Sequence, residues 1–122
     1  MIKKTFTTLA LFAGTLMTAP FPASLALAQD APQKIEITAK RFSFDPAEIT
    51  LKKGQPVVLV LKSADVAHGL RIKELDVNVK APAHGTGQVE FTPGQAGDFV
   101  ARCSVFCGSG HAQMMMKVHV VQ

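Results

Sequence analysis

Short strand-like segments separated by turn signals run through most of this 122-residue chain, and they limit the folds that are open to it. The segments are rich in β-branched and apolar residues, and none of them has a convincing amphipathic helical period. The predicted strands cover residues 34–44, 48–51, 56–62, 67–72, 77–79, 87–91, 98–102 and 115–121. Many short strands at such spacing are typical of a β-sandwich, so we predict an all-β fold.

The first 28 residues have the features of a secretory signal peptide. Two lysines stand near the start, an apolar run covers residues 9–17, and Ala26-Leu27-Ala28 offers a small-x-small cleavage site. A membrane anchor is the alternative, but the apolar run is too short to span a bilayer. We therefore expect export to the periplasm, with residues 29–122 forming a mature domain that has no integral membrane segment.

The charge of the chain argues against nucleic acid as a partner. The formal net charge is +4, and removing Lys3 and Lys4 with the signal segment lowers it by two, to +2. No cluster of Lys and Arg and no basic helix is present in the sequence. A nucleic-acid-binding domain of this size normally carries such a basic patch, so we predict no nucleic-acid function.

Two thiols, an imidazole and a thioether occur within twelve residues, in Cys103-Ser-Val-Phe-Cys107-Gly-Ser-Gly-His111-Ala-Gln-Met114. A second imidazole, that of His68, lies upstream between two apolar runs. All of these are soft or borderline ligands, the set that favours copper. Because such a set leaves little room for a substrate, we predict an electron carrier or relay domain in preference to a catalyst.

A disulfide between Cys103 and Cys107 is the structural alternative, because exported proteins usually oxidise their cysteines. A loop this short would contribute little entropic stabilisation. A disulfide would also leave His111 and Met114 at ligand spacing without a reason. Both states can occur in turn if the metal-free protein oxidises and must be reduced before it is loaded.

The pattern Cys-x-x-x-Cys-Gly-x-x-His-x-x-Met, with a His upstream, resembles the dinuclear copper A (CuA) domain of cytochrome c oxidase subunit II. The resemblance runs from about Asp65 to the C-terminus and more loosely back to Ile35. It implies a Greek-key cupredoxin sandwich. It also implies that Cys103 and Cys107 bridge two copper ions.

The resemblance assigns the remaining ligands residue by residue. His68 and His111 would each cap one copper, and Met114 would be a weak ligand to one of them. The family also supplies a backbone carbonyl from between the cysteines, usually that of a Glu, and Val105 stands at this position here. A carbonyl does not depend on its side chain, so Val105 can still provide it.

The resemblance further implies a redox partner protein, such as a cytochrome or a terminal oxidase. Oxidase subunits of this family receive electrons through an aromatic cluster that includes a Trp, whereas this chain has no Trp and no Tyr. Lys80 stands where the family has an acidic residue. A basic cytochrome would therefore be attracted less to this surface, and an acidic partner would be favoured.

Three other functions fit part of the pattern. A periplasmic copper-trafficking protein for oxidase assembly would use some of the same ligands. A mononuclear copper cupredoxin would use Cys107, His111, Met114 and His68, with Cys103 as a bystander. The chain could also serve a nitrous oxide reductase as a separate partner, since a similar copper domain is fused to that enzyme. The other two histidines, His84 in a predicted turn and His119 on the last strand, are not predicted as ligands.

Overall fold

The structure is a computed structural model that describes residues 31–122 continuously, with residues 10, 11, 13–15 and 18–22 before them. Most of the predicted signal segment, residues 1–28, lies outside the described residues. Within 31–122 there are nine strands, β1 Gln33–Lys40, β2 Ser43–Asp45, β3 Glu48–Lys52, β4 Val57–Ser63, β5 His68–Ile72, β6 Val77–Ala81, β7 Thr86–Phe91, β8 Gly97–Arg102 and β9 Met115–Val121. Two short 3-10 turns lie at Lys73–Leu75 and His111–Gln113. In the described part of the chain, no helix has the length and apolar character needed to cross a membrane.

The strands form two sheets, in the order β2-β1-β4-β7 and β3-β9-β8-β5-β6. The pairs β1–β4 and β3–β9 are parallel, and the other pairs are antiparallel. Parallel neighbours cannot be joined by a tight hairpin, so the chain crosses repeatedly from one sheet to the other. The predicted Greek-key β-sandwich is confirmed.

The strand predictions hold with one correction. Residues 34–44 were expected to form a single strand, but β1 ends at Lys40 and β2 begins at Ser43, with a turn at Arg41-Phe42 between them. The turn folds β2 back as an antiparallel partner of β1. The apolar run at 56–62 is an inner strand of its sheet, β4, with β1 and β7 on either side.

Alternating side chains from both sheets fill the space between them. The burial pattern of β9 is typical, since Met116, Val118 and Val120 point inward while Met115 and Lys117 are exposed. The first sheet contributes mainly Ile37, Leu59 and Leu61, all fully buried. Full burial of one such aliphatic side chain contributes about 1.5–3 kcal/mol, so the apolar alternation fixes which face of each strand meets the core.

The second sheet brings three distant parts of the chain to one end of the sandwich. Strand β8 lies between β5 and β9 and is antiparallel to both. The start of β5, the end of β8 and the start of β9 therefore share one edge. His68 opens β5, Cys103 follows β8, and Met114 precedes β9. The cluster of candidate ligands is built at this edge.

Candidate metal centre

The loop from Cys103 to Met114 begins and ends on neighbouring strands. The Cys103 N–H donates to the Met114 carbonyl at 3.1 Å, which closes the base of the loop. Ser104 N–H donates to the carbonyl of Gly69 on β5 at 3.4 Å. The loop is thus tied both to its own ends and to the strand that carries His68.

Four donor atoms form a chain across the site in the order imidazole, thiol, thiol, imidazole. His68 Nδ1 lies 3.9 Å from Cys103 Sγ, and Cys103 Sγ lies 3.7 Å from Cys107 Sγ. Cys107 Sγ lies 3.6 Å from His111 Nδ1. In the part of the chain that the structure describes, His68, Cys103 and Cys107 form the one group of at least three His, Cys or acidic side chains whose ligand atoms all lie within 4.8 Å of one another.

Two atoms that could serve as weaker metal ligands flank the pair of sulfurs, one on each side. The Val105 carbonyl oxygen accepts from Cys103 Sγ at 3.1 Å, and Met114 Sδ lies 3.7 Å from Cys107 Sγ. Met114 is fully buried, as is His68. The structure therefore brings together the donor atoms of all six predicted ligand residues, with the carbonyl on the Cys103 side and the thioether on the Cys107 side.

Both cysteines are free thiols in this structure, and both are buried. Their 3.7 Å separation is well beyond the about 2.05 Å of an S–S bond. Burial raises the pKa of the Cys107 thiol to about 11, and the neighbouring Cys103 thiol contributes to the rise. A protonated Cys107 thiol is thus expected near neutral pH, and a metal cation must displace the proton to bind the sulfur.

Asp65 orients the His68 ring. His68 Nε2 lies 2.6 Å from Asp65 Oδ1, and the same carboxylate accepts the backbone N–H groups of Arg41 at 2.8 Å and Val66 at 2.7 Å. The Arg41 N–H is the main reason that the pKa of Asp65 falls to about 2, and the His68 and Val66 bonds act in the same direction. Because Asp65 is ionised near neutral pH and can only accept, Nε2 donates to it, and Nδ1 faces Cys103.

The turn at Arg41-Phe42 supports the loop from the opposite sheet. Arg41 Nε donates to the Cys107 carbonyl at 3.1 Å, so one residue contacts both the loop and the Asp65 carboxylate. The Phe42 ring packs directly on the loop glycines. A Cβ added at Gly110 would lie 2.4 Å from Phe42 Cγ, and Gly108 has a φ of +138°. Larger residues at these positions would disturb the close packing of ring and loop.

Sequence reasoning did not find the roles of Asp65 and Arg41. Asp65 stands three residues before His68, and an acidic residue so close to a candidate imidazole ligand was a usable signal. Arg41 lies 66 residues before Cys107. Only the packing of one sheet on the other brings it to the loop, and no local pattern in the sequence points to it.

The remaining histidines stay outside the cluster. His84 is exposed in a turn. His119 is partly buried on the outer face of the second sheet, where Nδ1 contacts Asp98 at 2.5 Å and Nε2 contacts Glu48. These two carboxylates raise the pKa of His119, with Asp98 the larger cause. The two ring nitrogens point to different carboxylates, so His119 links three strands and does not join the cluster.

Comparisons with known proteins identify the family to which the domain belongs. A family model described as a cupredoxin-like domain matches residues 7–118. Cytochrome c oxidase subunit 2 of Thermus thermophilus is 28% identical over 91 residues, which cover 73% of this chain and 67% of that protein. Nitrous-oxide reductase of Cupriavidus necator is 32% identical over 90 residues, which cover 70% of this chain and 14% of the enzyme.

A solved chain of a heme-copper terminal oxidase dimer superposes with a TM-score of 0.65 and 29% identity, covering 73% of this chain and 65% of that chain. The chain spans 54% of a second subunit 2 sequence from Thermus thermophilus and a still smaller part of the reductase. The likeness therefore covers one domain of larger proteins. The donor set of two thiols, two imidazoles, a thioether and a carbonyl is one that suits copper.

Proposed function

This chain belongs to the cupredoxin-like family and is related to the copper A domain of cytochrome c oxidase subunit II, and from that premise we propose that it is an exported electron carrier with a dinuclear copper centre. The observation that carries the proposal is the order of donors along the site. Two sulfurs 3.7 Å apart lie between two imidazoles, each of which has its Nδ1 near one sulfur. Such an order offers two similar metal positions that share both sulfurs.

Cys103 and Cys107 would be shared by the two proposed metal positions, and His68 and His111 would each complete one of them. The Val105 carbonyl and the Met114 thioether would be the weaker ligands. Copper bound there would supply a one-electron couple. The chain's own contribution is to keep the donors fixed and largely shielded from water, since four of the six residues are buried.

Rigidity of the donors supports electron transfer more than chemistry on a substrate. His68 is held by Asp65, the loop base is closed by the Cys103–Met114 hydrogen bond, and Arg41 holds the Cys107 carbonyl. Donors that move little between two oxidation states lower the reorganisation cost of gaining or losing an electron. The hydrogen bonds and the apolar surroundings also tune the potential of such a site.

Export to the periplasm and a redox partner complete the proposal. The signal-like N-terminal segment supports export, and no cleavage is needed for the site itself, because its donors lie between residues 68 and 114. We propose a cytochrome or a terminal oxidase as partner. The Trp-containing entry route of oxidase subunits has no counterpart in a chain without Trp and Tyr, so electrons must enter at a different surface.

Electron paramagnetic resonance with copper quantification on the reduced, then copper-loaded protein tests the proposal. A hyperfine pattern from one electron shared by two equivalent coppers, with two coppers per chain, is the expected result. A single-copper signal would favour the mononuclear cupredoxin, in which Cys103 is a bystander. A silent, easily removed Cu(I) would favour copper trafficking, a function that the full burial of His68 and Met114 argues against.

A further inference from the structure

Two arginines face each other on the outer surface of the second sheet, next to the metal centre. Arg71 on β5 and Arg102 on β8 are directly opposite in the antiparallel register, and both are exposed. Arg102 immediately precedes Cys103, and Arg71 lies three residues after His68. Like charges directly opposite one another destabilise a sheet, so the contribution of this pair to stability does not explain why both residues are arginine.

Neither arginine has a carboxylate partner in the continuously described part of the chain. Among residues 31–122, no Asp or Glu oxygen lies within 4.0 Å of a charged nitrogen of Arg71 or Arg102. The same is true of Lys80 on the neighbouring β6 strand. Lys34 and Lys62 are both paired with Glu36, whereas other surface cations among residues 31–122, such as Lys52 and Lys53, have no carboxylate within 4.0 Å.

The arginines line a groove that reaches the metal centre. The groove has a volume of about 620 Å³, and Arg71 and Arg102 share its wall with Cys103 and His111. Two carboxylates, Glu74 and Asp98, also line it. They lie further along the sheet, toward the end away from Cys103, and Asp98 is bonded to His119. The end of the groove next to the candidate ligands is therefore positive.

We propose that this basic groove, formed by Arg71, Arg102 and the adjoining surfaces of Cys103 and His111, is the docking site of a redox protein that presents carboxylates around its own cofactor. The inference rests on the proposed electron-transfer function. Arginine forks bind carboxylates in a bidentate manner, and opposite charges on the two surfaces speed the encounter. Docking there would bring the partner against the part of the centre that lines the groove.

Other occupants fit the groove less well. A nucleic acid would need a longer basic stripe with aromatic platforms for its bases, and among the described residues Phe99 is the one Phe, Tyr or Trp that lines this groove. A small oxyanion would neutralise the two guanidinium groups, but its binding would not explain why the candidate ligands Cys103 and His111 line the same groove. A carboxylate-rich redox protein accounts for both features.

Stopped-flow kinetics with two c-type cytochromes of opposite net charge test the proposal on the copper-loaded protein. We expect the acidic cytochrome to react faster than the basic one, and its rate to fall as salt rises from about 10 mM to about 300 mM. The double variant Arg71→Glu/Arg102→Glu should slow the acidic cytochrome by about tenfold or more at low salt. A faster reaction with the basic cytochrome, or no effect of salt, would overturn the proposal.

The matched control is Lys52→Glu/Lys53→Glu, which changes the net charge by the same amount. Both lysines are exposed at the opposite end of the second sheet, where β3 runs parallel to β9. We expect this control to slow the reaction by about threefold or less, through net charge alone. Equal slowing by both double variants would show that the groove has no specific role. Hexacyanoferrate, a small anionic redox reagent, provides a further comparison. If Arg71→Glu/Arg102→Glu slows the reaction with hexacyanoferrate but not the reaction with the acidic cytochrome, the groove binds small anions and does not dock a protein.

A binding measurement separates failure of docking from failure of the copper assignment. Nuclear magnetic resonance titration of the reduced, metal-free protein with the acidic cytochrome needs no copper. We expect chemical-shift changes centred on the backbone amides of residues 69–71 and 102–104, and we expect them to be lost in Arg71→Glu/Arg102→Glu. This result would support the docking surface even if the copper spectrum is not dinuclear. Shifts elsewhere, or none, contradict the docking surface even if the copper spectrum is dinuclear.

Discussion

His68 Nε2 lies 2.6 Å from Asp65 Oδ1, so a carboxylate on the rim of the site sets the direction of an imidazole that is fully buried. The carboxylate is itself fixed by the backbone N–H groups of Arg41 and Val66. An outer carboxylate of this kind fixes the tautomer and the orientation of a ligating ring. The position of one candidate ligand therefore depends on a residue that would not touch the metal.

Replacing Asp65 by Ala should weaken copper binding by about 10–100-fold, because the His68 ring loses its orienting partner. A competition titration against a chelator of known affinity measures the change. Asp76→Asn is the matched control, since Asp76 is exposed and its left-handed backbone conformation suits Asn. Copper affinity unchanged by Asp65→Ala would mean that packing alone holds the ring.

Replacing Cys103 by Ser should abolish the two-copper centre and leave at most one copper per chain. Serine keeps the size of the side chain but lacks the thiolate that we assign as a bridge. Copper quantification and the hyperfine pattern measure the outcome together. Ser104→Ala is the control, because its hydroxyl contacts Asn78 at 2.9 Å and not the cluster. An unchanged two-copper spectrum in Cys103→Ser would refute the bridging assignment.

Replacing Met114 by Leu should keep copper bound while shifting its reduction potential, because a thioether is a weak ligand that tunes the potential. Protein film voltammetry measures the shift. Met116→Leu is a close control, since Met116 is also buried but points into the core from β9. Both swaps nearly conserve volume and should cost less than about 1.5 kcal/mol of stability. Complete loss of copper in Met114→Leu would assign this residue a stronger role.

Replacing Gly110 by Ala should destabilise the protein by about 1–3 kcal/mol, the usual cost of overpacking. The added Cβ would meet Phe42 Cγ at 2.4 Å, so the ring or the loop must move. Urea unfolding of the metal-free protein measures the change in free energy. At Gly94 a new Cβ would have no atom within 4 Å, so Gly94→Ala should have little effect. Equal urea midpoints for Gly110→Ala and Gly94→Ala would show that the Phe42 ring moves aside without a cost in stability.

The bonds of His119 to Asp98 and Glu48 should make stability depend on pH. The pKa of His119 is raised above 6.5, so its contribution is complete below about 6.5 and is lost as pH rises through the raised value. His119 lowers the pKa of Glu48 below 4.5, so that contribution is present above 4.5 and is lost as pH falls through the lowered value. The bonds therefore stabilise most between pH 4.5 and 6.5.

Urea midpoints measured from below pH 4.5 to well above pH 6.5 test the effect. His119→Gln should flatten the fall in stability above pH 6.5, where the native His119 loses its proton. His84→Asn is the control, because His84 is exposed and its positive φ suits Asn. An identical pH profile for His119→Gln and the unsubstituted protein would contradict the prediction.

The residues that the sequence could predict are those whose type and local spacing carry the information. The donors between Cys103 and Met114 are close along the chain, and the alternation of β9 indicates its inward face without a tertiary structure. The place of His68 between two apolar runs made it a candidate, but only the resemblance to a family assigned it as a ligand, since a lone His has no such local signal. The Arg41-Phe42 turn was missed because residues 34–44 have strand character throughout.

The rest depends on which strands are neighbours within a sheet and on how the two sheets pack together. Arg41 reaches Cys107 from the other sheet, and Arg71 meets Arg102 only because β5 pairs with β8. Long-range pairing of this kind has no signature in a short window of sequence, since many registers satisfy the same alternation. Sequence patterns therefore indicated the candidate ligands, and the pairing of strands together with the packing of the two sheets determined what surrounds them.

His68 and Cys103 are 35 residues apart, and they meet only where β5 lies beside β8. An unfolded chain can offer the donors between Cys103 and Met114, but it cannot hold the His68 ring near them. Full copper uptake is therefore possible only after the second sheet has formed in its native register. A metal that binds the folded state more tightly also stabilises it by mass action. With the proposed ligand set, copper would therefore be held tightly only by chains in which the second sheet has formed.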